Sequence, residues 1–212
     1  GNTIGSTSTS NSINANTSST NATGQAVTGI LSSSSTSTSI TGNTVANLNN
    51  NFANSTSTGQ IRGIVVSAGV DTISSNMVYN LSTTSRDSST GSSSSVIGIS
   101  NSTTSGGQVV SQNKVYSLSN TGATAVSVYG IYYNGATSGT NLVSRNFVHS
   151  LKLTSVADTT LGAITGINIA GGASRIDNNM VRLGIDDAGA SLTTAYSIVG
   201  ISKTTTSNNN FF

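Results

Sequence analysis

Apolar residues along the chain recur in two short motifs that alternate with a regular period. The first motif reads apolar-x-Gly-Ile, and its glycines recur every 32 to 36 residues. Its copies are Val27–Ile30, Ile61–Ile64, Val96–Ile99, Val128–Ile131, Ile164–Ile167 and Ile198–Ile201. The chain between the apolar positions is polar, and Ser, Thr, Asn and Gly predominate there. A motif repeated at this interval is typical of a solenoid, in which each repeat forms one structural unit.

The second motif reads apolar-x-x-Asn-x-Val and alternates strictly with the first. Its copies are Ile40–Val45, Ile73–Val78, Val110–Val115, Val143–Val148 and Ile176–Val181. The first four copies are each closed by a leucine, at Leu48, Leu81, Leu118 and Leu151. Asn2–Ile4 matches the end of an earlier copy. Chance does not interleave two motifs in this way, so we predict a single repetitive domain spanning 1–212.

Each repeat contains short runs of apolar and β-branched residues, such as Val143–Val148. Turn-forming residues separate these runs, as is typical of β-strands. No segment shows the apolar period of an amphipathic helix. One repeat is also too short and too polar to bury a core by itself. We therefore predict an all-β solenoid in which each repeat is one coil and its strands pair with those of the next coil.

Stacking the coils in register places equivalent residues on top of one another. The motif isoleucines and valines then form apolar columns in the interior. The motif asparagines form a structural ladder at a turn, with members Asn43, Asn76, Asn113, Asn146 and Asn179. Each side-chain amide can bond the amide of the next coil, which satisfies polar groups that are removed from water. The glycine before each isoleucine is expected at a corner, where a side chain would clash or φ is positive.

The segment Ile73–Leu81 has the pattern [Ile/Val]-Ser-x-Asn-x-Val-x-x-Leu, which resembles right-handed parallel β-helix repeats of the pectate-lyase-like superfamily. The resemblance covers nearly the whole chain and implies a right-handed parallel β-helix of about six coils, with 33–37 residues per coil. It does not define a function, because this fold carries lyases, hydrolases, phage tailspikes and adhesins. The Ser/Thr/Asn-rich style is also similar to that of repetitive surface proteins of Gram-negative bacteria, which implies a secreted or cell-surface location.

Composition removes several classes of function. Charged residues make up 7% of the chain, and cysteine is absent, so no disulfide or thiolate metal site can form. The eight basic residues are scattered between Arg62 and Lys203 and do not form the basic cluster that nucleic-acid binding needs. No apolar run approaches the roughly 18 residues of a membrane span. We expect neither a nucleic-acid partner nor a membrane span.

Carboxylates that could support catalysis are few and dispersed. The only acidic residues are Asp71, Asp87, Asp158, Asp177, Asp186 and Asp187. The resemblance implies that an active lyase groups several acids around calcium, and the alignment of coils assembles no such group here. We therefore predict no catalytic residue, no cofactor, no metal site and no enzymatic activity. Asp186 and Asp187 are adjacent and could attract calcium, but a solvated turn is the favoured interpretation.

The main binding candidate is a column of side chains that each directly follow a ladder valine and therefore point outward. It contains Tyr79, Tyr116, His149 and Arg182. At a strand spacing of about 4.8 Å they form a strip suited to sugar faces. Cross-strand stacking explains the same column without a ligand. Tyr132 and Tyr133 form a second aromatic spot, for which a glycan is again the expected ligand.

Three functions remain open from the sequence. The favoured one is a non-catalytic structural or adhesive segment of an extracellular bacterial surface protein. The alternatives are a glycan-binding or polysaccharide-active β-helix and an ice-binding solenoid. Neither Asn2–Ile4 nor Asn208–Phe212 has a recognisable cap. We thus expect a fragment of a longer solenoid, with further coils of the same or another protein at its open ends and surface glycans as possible partners.

Overall fold

The structure is a computed structural model that describes residues 1–15, 23–52, 59–122, 126–154, 164–192, 197–208 and 210–211. Within these residues the chain forms nineteen β-strands and one turn of 3-10 helix at Gly91–Ser93. The strands pair in three sheets, and every pairing between two strands is parallel. The prediction of an all-β parallel β-helix is therefore confirmed.

The three sheets take their strands from successive coils. Sheet 1 contains the apolar-x-Gly-Ile strands β3 (Gln25–Ser32), β6 (Gly59–Val66), β9 (Val96–Asn101), β12 (Val128–Asn134), β15 (Ile164–Gly171) and β18 (Ile198–Lys203). Sheet 2 contains the short strands β4 (Thr38–Thr41), β7 (Asp71–Ser74), β10 (Val109–Ser111), β13 (Asn141–Ser144), β16 (Ser174–Asp177) and β19 (Asn210–Phe211). Sheet 3 contains β1 (Thr3–Gly5), β2 (Ile13–Ala15), β5 (Thr44–Asn50), β8 (Met77–Thr83), β11 (Lys114–Asn120), β14 (Phe147–Leu153) and β17 (Met180–Arg182).

The described residues contain five complete coils, which we number 1 to 5 from β3–β5 to β15–β17. Strands β1 and β2 pair with β5 before the first complete coil, and β18 and β19 follow the fifth. The predicted number of about six coils is thus replaced by five complete coils with a partial coil at each end.

The interior is built from the apolar residues of the two motifs. Ile64 pairs with Ile30 and Ile99 in sheet 1, and Val78 pairs with Val45 and Val115 in sheet 3. Most members of these columns are fully buried and belong to one continuous core cluster. The columns open to solvent only toward the ends, where Ile30 is half-buried and Ile201 is 38% exposed. The predicted internal ladders are therefore present.

The spacing of three residues between each motif valine and its leucine requires an irregular strand. Because strand residues alternate between faces, Val45 and Leu48 would lie on opposite faces of a regular strand. The intervening Asn47 has a φ of 58°, in the left-handed region, and is skipped in the pairing with β8. Asn80, Ser117 and Ser150 do the same in the next three coils, with φ of 51° to 56°. This extra residue, as in a β-bulge, returns the leucine to the core.

The motif glycines lie inside the strands of sheet 1, and none of them has a positive φ. The expected corner position and positive φ are therefore wrong, whereas the other expected reason, a clash with a side chain, is confirmed. A Cβ added to Gly63 would lie 2.3 Å from Cγ1 of Val78 and 2.5 Å from the carbonyl oxygen of Gly98. The same contact with a motif valine recurs at Gly29, Gly98, Gly130 and Gly166.

Candidate functional site

The predicted asparagine ladder forms at the turn between sheets 2 and 3. Asn113 donates from both its backbone N–H and Nδ2 to Oδ1 of Asn146, at 3.0 Å each. Its Nδ2 also donates to the carbonyl oxygen of Ile73 in the preceding coil, at 2.9 Å. Equivalent bonds join all five predicted members, Asn43, Asn76, Asn113, Asn146 and Asn179, and Asn2 precedes them. The ladder is a structural element, because its amides are occupied by the protein itself.

A second buried polar column, which was not predicted from the sequence, lies at the start of sheet 2. It contains Thr38, Asp71, Gln108, Asn141 and Ser174 in successive coils. The backbone N–H of Asp71 donates to Oε1 of Gln108 at 3.2 Å, and that of Gln108 donates to Oδ1 of Asn141 at 3.1 Å. The residue types differ from coil to coil, which hid the column. Its members nevertheless always stand two residues before the first apolar residue of the second motif, and strand alternation turns that position inward.

Asp71 is the titratable member of this second column. Its side chain is fully buried, and desolvation raises the pKa of its carboxyl above the ordinary value, although hydrogen bonding by Thr38 opposes the change. A carboxylate in this position is costly to ionise because water is removed from it. Asp71 therefore contributes to the interior of the solenoid and offers no surface for chemistry.

The predicted column of ring side chains forms on the outer face of sheet 3. The rings of Tyr79 and Tyr116 stack with their centroids 4.9 Å apart, and those of Tyr116 and His149 lie 4.8 Å apart. Arg182 pairs with His149 and continues the column. The predicted register and spacing are therefore correct. Both faces of Tyr116 are covered by neighbouring rings, so a sugar cannot stack on that residue, and ligand binding by this column stays a prediction.

Several charges surround this ring column. Nζ of Lys114 lies 4.7 Å from the centroid of the Tyr116 ring, within the range of a cation–π contact. Partial burial lowers the pKa of His149, and the nearby cations Lys114 and Arg182 lower it further, while Asp187 opposes them. Burial likewise raises the pKa of Tyr116. Near neutral pH His149 is therefore kept uncharged, as suits a ring within a stack.

The second predicted aromatic spot is not a surface feature. Tyr133 is fully buried in the core, as strand alternation from the inward Ile131 requires. Tyr132 faces the other way, but it is buried with Tyr129 and Ile97 in a small apolar cluster outside the solenoid. Ser92, in the loop that follows β8, forms a hydrogen bond with Tyr132. Both rings of the predicted aromatic spot are therefore buried, and glycan binding by Tyr132 and Tyr133 stays a prediction.

A polar groove of about 290 Å³ lies beside the ring column on the outer face of sheet 3. Its floor includes the left-handed residues Asn80 and Ser117 and the next outward column, Ser82, Ser119 and Lys152. These two columns rise with the coils, so hydroxyl, amide and ammonium groups follow one another at the spacing of paired strands, about 4.8 Å.

Two segments that depart from the repeat form the ends of this groove. The loop that contains Ser10 and Asn11 is fixed by Asn47, whose Nδ2 donates to the carbonyl oxygen of Ser6 at 2.6 Å. At the other end the chain folds into a hairpin over 184–192, closed by the bond from the Leu192 N–H to the carbonyl oxygen of Gly184 at 2.9 Å.

The hairpin reaches back along the solenoid to coil 3. Oδ2 of Asp187 accepts a hydrogen bond from Oγ of Ser117 at 2.5 Å, although the two residues are 70 positions apart. Asp186 and Asp187 both line the groove. They thus lie at a turn, as expected from the sequence, but this turn is folded onto sheet 3 and is part of the groove.

The other described carboxylates make separate structural contacts. Asp177 forms an ion pair with Arg175 at 2.6 Å, and Oδ1 of Asp87 accepts a bond from the N–H of Ser89 at 2.9 Å. Within the described ranges, no group of three or more His, Cys, Asp or Glu residues could hold a metal ion, and no helix could cross a membrane. Asp158 lies outside the described residues.

Comparison with known proteins finds no relative of this chain. No protein-family model matches the chain, and neither a curated protein nor a solved structure shows significant similarity to it. The assignment of the fold therefore depends on the strand pairing and the ladders described above.

Proposed function

We propose that this chain is a non-catalytic structural segment of an extracellular bacterial surface protein, within which it separates or presents adhesive regions. The observation that carries the proposal is the asparagine ladder, which runs from Asn2 to Asn179 with equivalent hydrogen bonds at each step. Such regularity favours a stiff rod whose coils all have the same role. We also propose that the chain is related to the pectate-lyase-like superfamily, whose repeats Ile73–Leu81 resembles.

The contacts of the carboxylates support a structural role over a catalytic one. Asp71 is enclosed by a polar column, Asp177 pairs with Arg175, and Asp87 caps its own loop. Polysaccharide cleavage requires acids in convergent positions around one bond. The side chains named here contact different parts of the solenoid, so each serves the coil in which it lies.

Apolar residues at the two ends of the solenoid support the proposal that a partner of the same architecture binds there. At the first coil the interior opens into a concavity of about 640 Å³, lined in part by Ile4, Ile30 and Ile40. At the opposite end Ile198 and Phe211 are 43% and 47% exposed, and Phe212 lies outside the described residues. Strand edges with exposed apolar side chains favour pairing with another strand. We propose that further coils, of this protein or of another, cover them.

Localisation is the direct test of the proposed function. Antibodies raised against the folded chain should label intact cells of the organism that produces it, as seen by immunogold electron microscopy. Labelling that appears only after the cells are permeabilised would contradict an extracellular role. An antibody against a cytoplasmic protein, applied to the same cells, controls for leakage.

A further inference from the structure

We infer that the polar groove on sheet 3 binds a short stretch of a neutral glycan. The inference does not depend on the proposed structural role, because it concerns only the groove between the 6–12 loop and the 184–192 hairpin. Its volume of about 290 Å³ lies close to the lower limit for small-ligand sites, which is about 300 Å³. This space suits one or two sugar units of a chain that continues beyond the groove.

Four polar groups on the groove lining have no protein partner among the described residues. They are Oδ1 of Asn80, Oγ of Ser119, Nζ of Lys152 and Oδ1 of Asp187. Asn80 uses only its Nδ2, which donates to Oδ1 of Asn47 at 3.2 Å, and Asp187 uses only its Oδ2. The lining therefore offers two oxygen acceptors, a cationic donor and a hydroxyl that can donate or accept a hydrogen bond.

The charges of the lining select against a strongly charged ligand. A polyanion would meet Asp186 and Asp187, and a polycation would meet Lys152. A sugar hydroxyl both donates and accepts hydrogen bonds, so it can pair with a carboxylate, an amide or an ammonium group. A neutral polyhydroxyl chain can form hydrogen bonds with all these groups and carries no charge that Asp186, Asp187 or Lys152 would repel.

The groove also has the fixed geometry that recognition requires. Asp187 is fixed by its bond to Ser117, and Asp186 is fixed within the hairpin by the bond from the Ala190 N–H to its Oδ1 at 2.9 Å. The floor consists of paired strands, whose outward side chains keep a constant spacing. Side chains held in this way lose little conformational freedom when a ligand binds.

Isothermal titration calorimetry with cellohexaose, maltohexaose and mannohexaose, and with trigalacturonate as the acidic probe, tests the inference. At least one neutral hexasaccharide should bind the wild-type chain. Ser119→Trp, which fills the groove, should abolish binding, and Asp187→Asn, which keeps the shape of the side chain, should weaken it about 10-fold, the loss of one charge-assisted hydrogen bond. Ser111→Trp, on the outer face of sheet 2, is the matched control and should bind like the wild type.

Circular dichroism and thermal unfolding of each variant separate a loss of binding from a loss of structure. The inference is overturned if no neutral hexasaccharide binds, if Ser119→Trp binds as well as the wild type, or if trigalacturonate binds more tightly than every neutral probe. Because Asp187→Asn preserves volume, its result stands even if Ser119→Trp does not fold.

Discussion

A methyl group of Val78 fills the space in which a side chain of Gly63 would lie, since a Cβ added to Gly63 would be 2.3 Å from Cγ1 of that valine. Gly63 belongs to the first sequence motif and Val78 to the second, so this contact joins the two motifs across the interior of one coil. The carbonyl oxygen of Gly98 in the next coil closes the same space, at 2.5 Å. The interior therefore has no room for one additional methyl group.

Replacing Gly63 with alanine should destabilise the fold by about 1–3 kcal/mol, the usual cost of overpacking a close-packed core. Chemical denaturation followed by circular dichroism measures this change. Gly200→Ala is the matched control, because the same position of the last motif has no atom within 4 Å of an added Cβ. It should leave stability unchanged or slightly raise it. Equal losses in the two variants would contradict the steric explanation.

Asn113→Ala should cost on the order of 1–3 kcal/mol of stability, because buried donors and acceptors lose their partners. Asn76 would lose the acceptor of two hydrogen bonds, at 3.0 Å each. Oδ1 of Asn146 would lose the Nδ2 donor and keep only the bond from the backbone N–H of residue 113. Asn134, exposed at the end of β12, provides the control, and its replacement by alanine should change stability by less than about 0.5 kcal/mol. Similar midpoints of urea denaturation for the two variants would show that the ladder does not stabilise the fold.

Asp71→Asn should stabilise the protein at pH 7. Because the folded state raises the pKa of Asp71, the free energy of unfolding decreases as the pH rises from the unfolded pKa through the folded one. Asparagine has no such dependence, so the advantage of the variant should shrink as the pH falls toward 4. Denaturation curves between pH 3.5 and 8 measure the difference.

The control for Asp71→Asn is Asp177→Asn, which removes the ion pair with Arg175 and should not stabilise the chain. A wild-type protein that is more stable than Asp71→Asn at pH 7 would refute the account of a costly buried carboxylate.

His149→Tyr should remove one component of the pH dependence of stability. The folded state lowers the pKa of His149, so its neutral form stabilises the fold fully above the ordinary value of about 6.5. That contribution is lost as the pH falls below this value and is exhausted below the folded pKa. Tyrosine continues the stack of Tyr79 and Tyr116 without titrating in this range. Urea denaturation at pH 8 and at steps down to pH 5 should show a smaller decrease for the variant than for the wild type.

Incubation of the purified chain with polygalacturonate or other acidic polysaccharides should release no product, with or without calcium. The described carboxylates contact separate structural partners, as Asp87 and Asp177 illustrate. Unsaturated products are followed by ultraviolet absorbance and new reducing ends by a colorimetric assay. Activity that one Asp substitution abolishes would refute the non-catalytic proposal, whereas activity that survives every Asp substitution would indicate a contaminant.

The sequence predicts the coil well because the same positions of the repeat face the interior in every coil. The position of Asn113 in its motif was sufficient to place it in the ladder, and Val78 was correctly placed in an inward column. The left-handed conformation of Ser117 was not predicted, because glycine, the residue that usually indicates this conformation, does not occupy the position. The signal was indirect: an inward valine and an inward leucine three positions apart cannot share a regular strand.

The candidate site was predicted less well, because its ends come from segments outside the repeat. The contact of Asp187 with Ser117 depends on a hairpin that folds back over two coils, and no periodicity encodes it. The burial of Tyr133 was not predicted, although the alternation of Ile131, Tyr132 and Tyr133 already indicated that Tyr132 and Tyr133 face opposite sides.

The parallel stacking of the coils determines how the molecule responds to mechanical force. The hydrogen bonds of all three sheets run from coil to coil, so a pull on the two ends of the stack stretches them in series. Each coil contacts mainly its immediate neighbours, so the terminal coils detach first and the remainder stays intact. At about 3.3–3.6 Å per extended residue, one released coil lengthens the chain by roughly 110–130 Å. Tension is then dissipated in discrete steps, and the rod becomes an extensible tether before it fails.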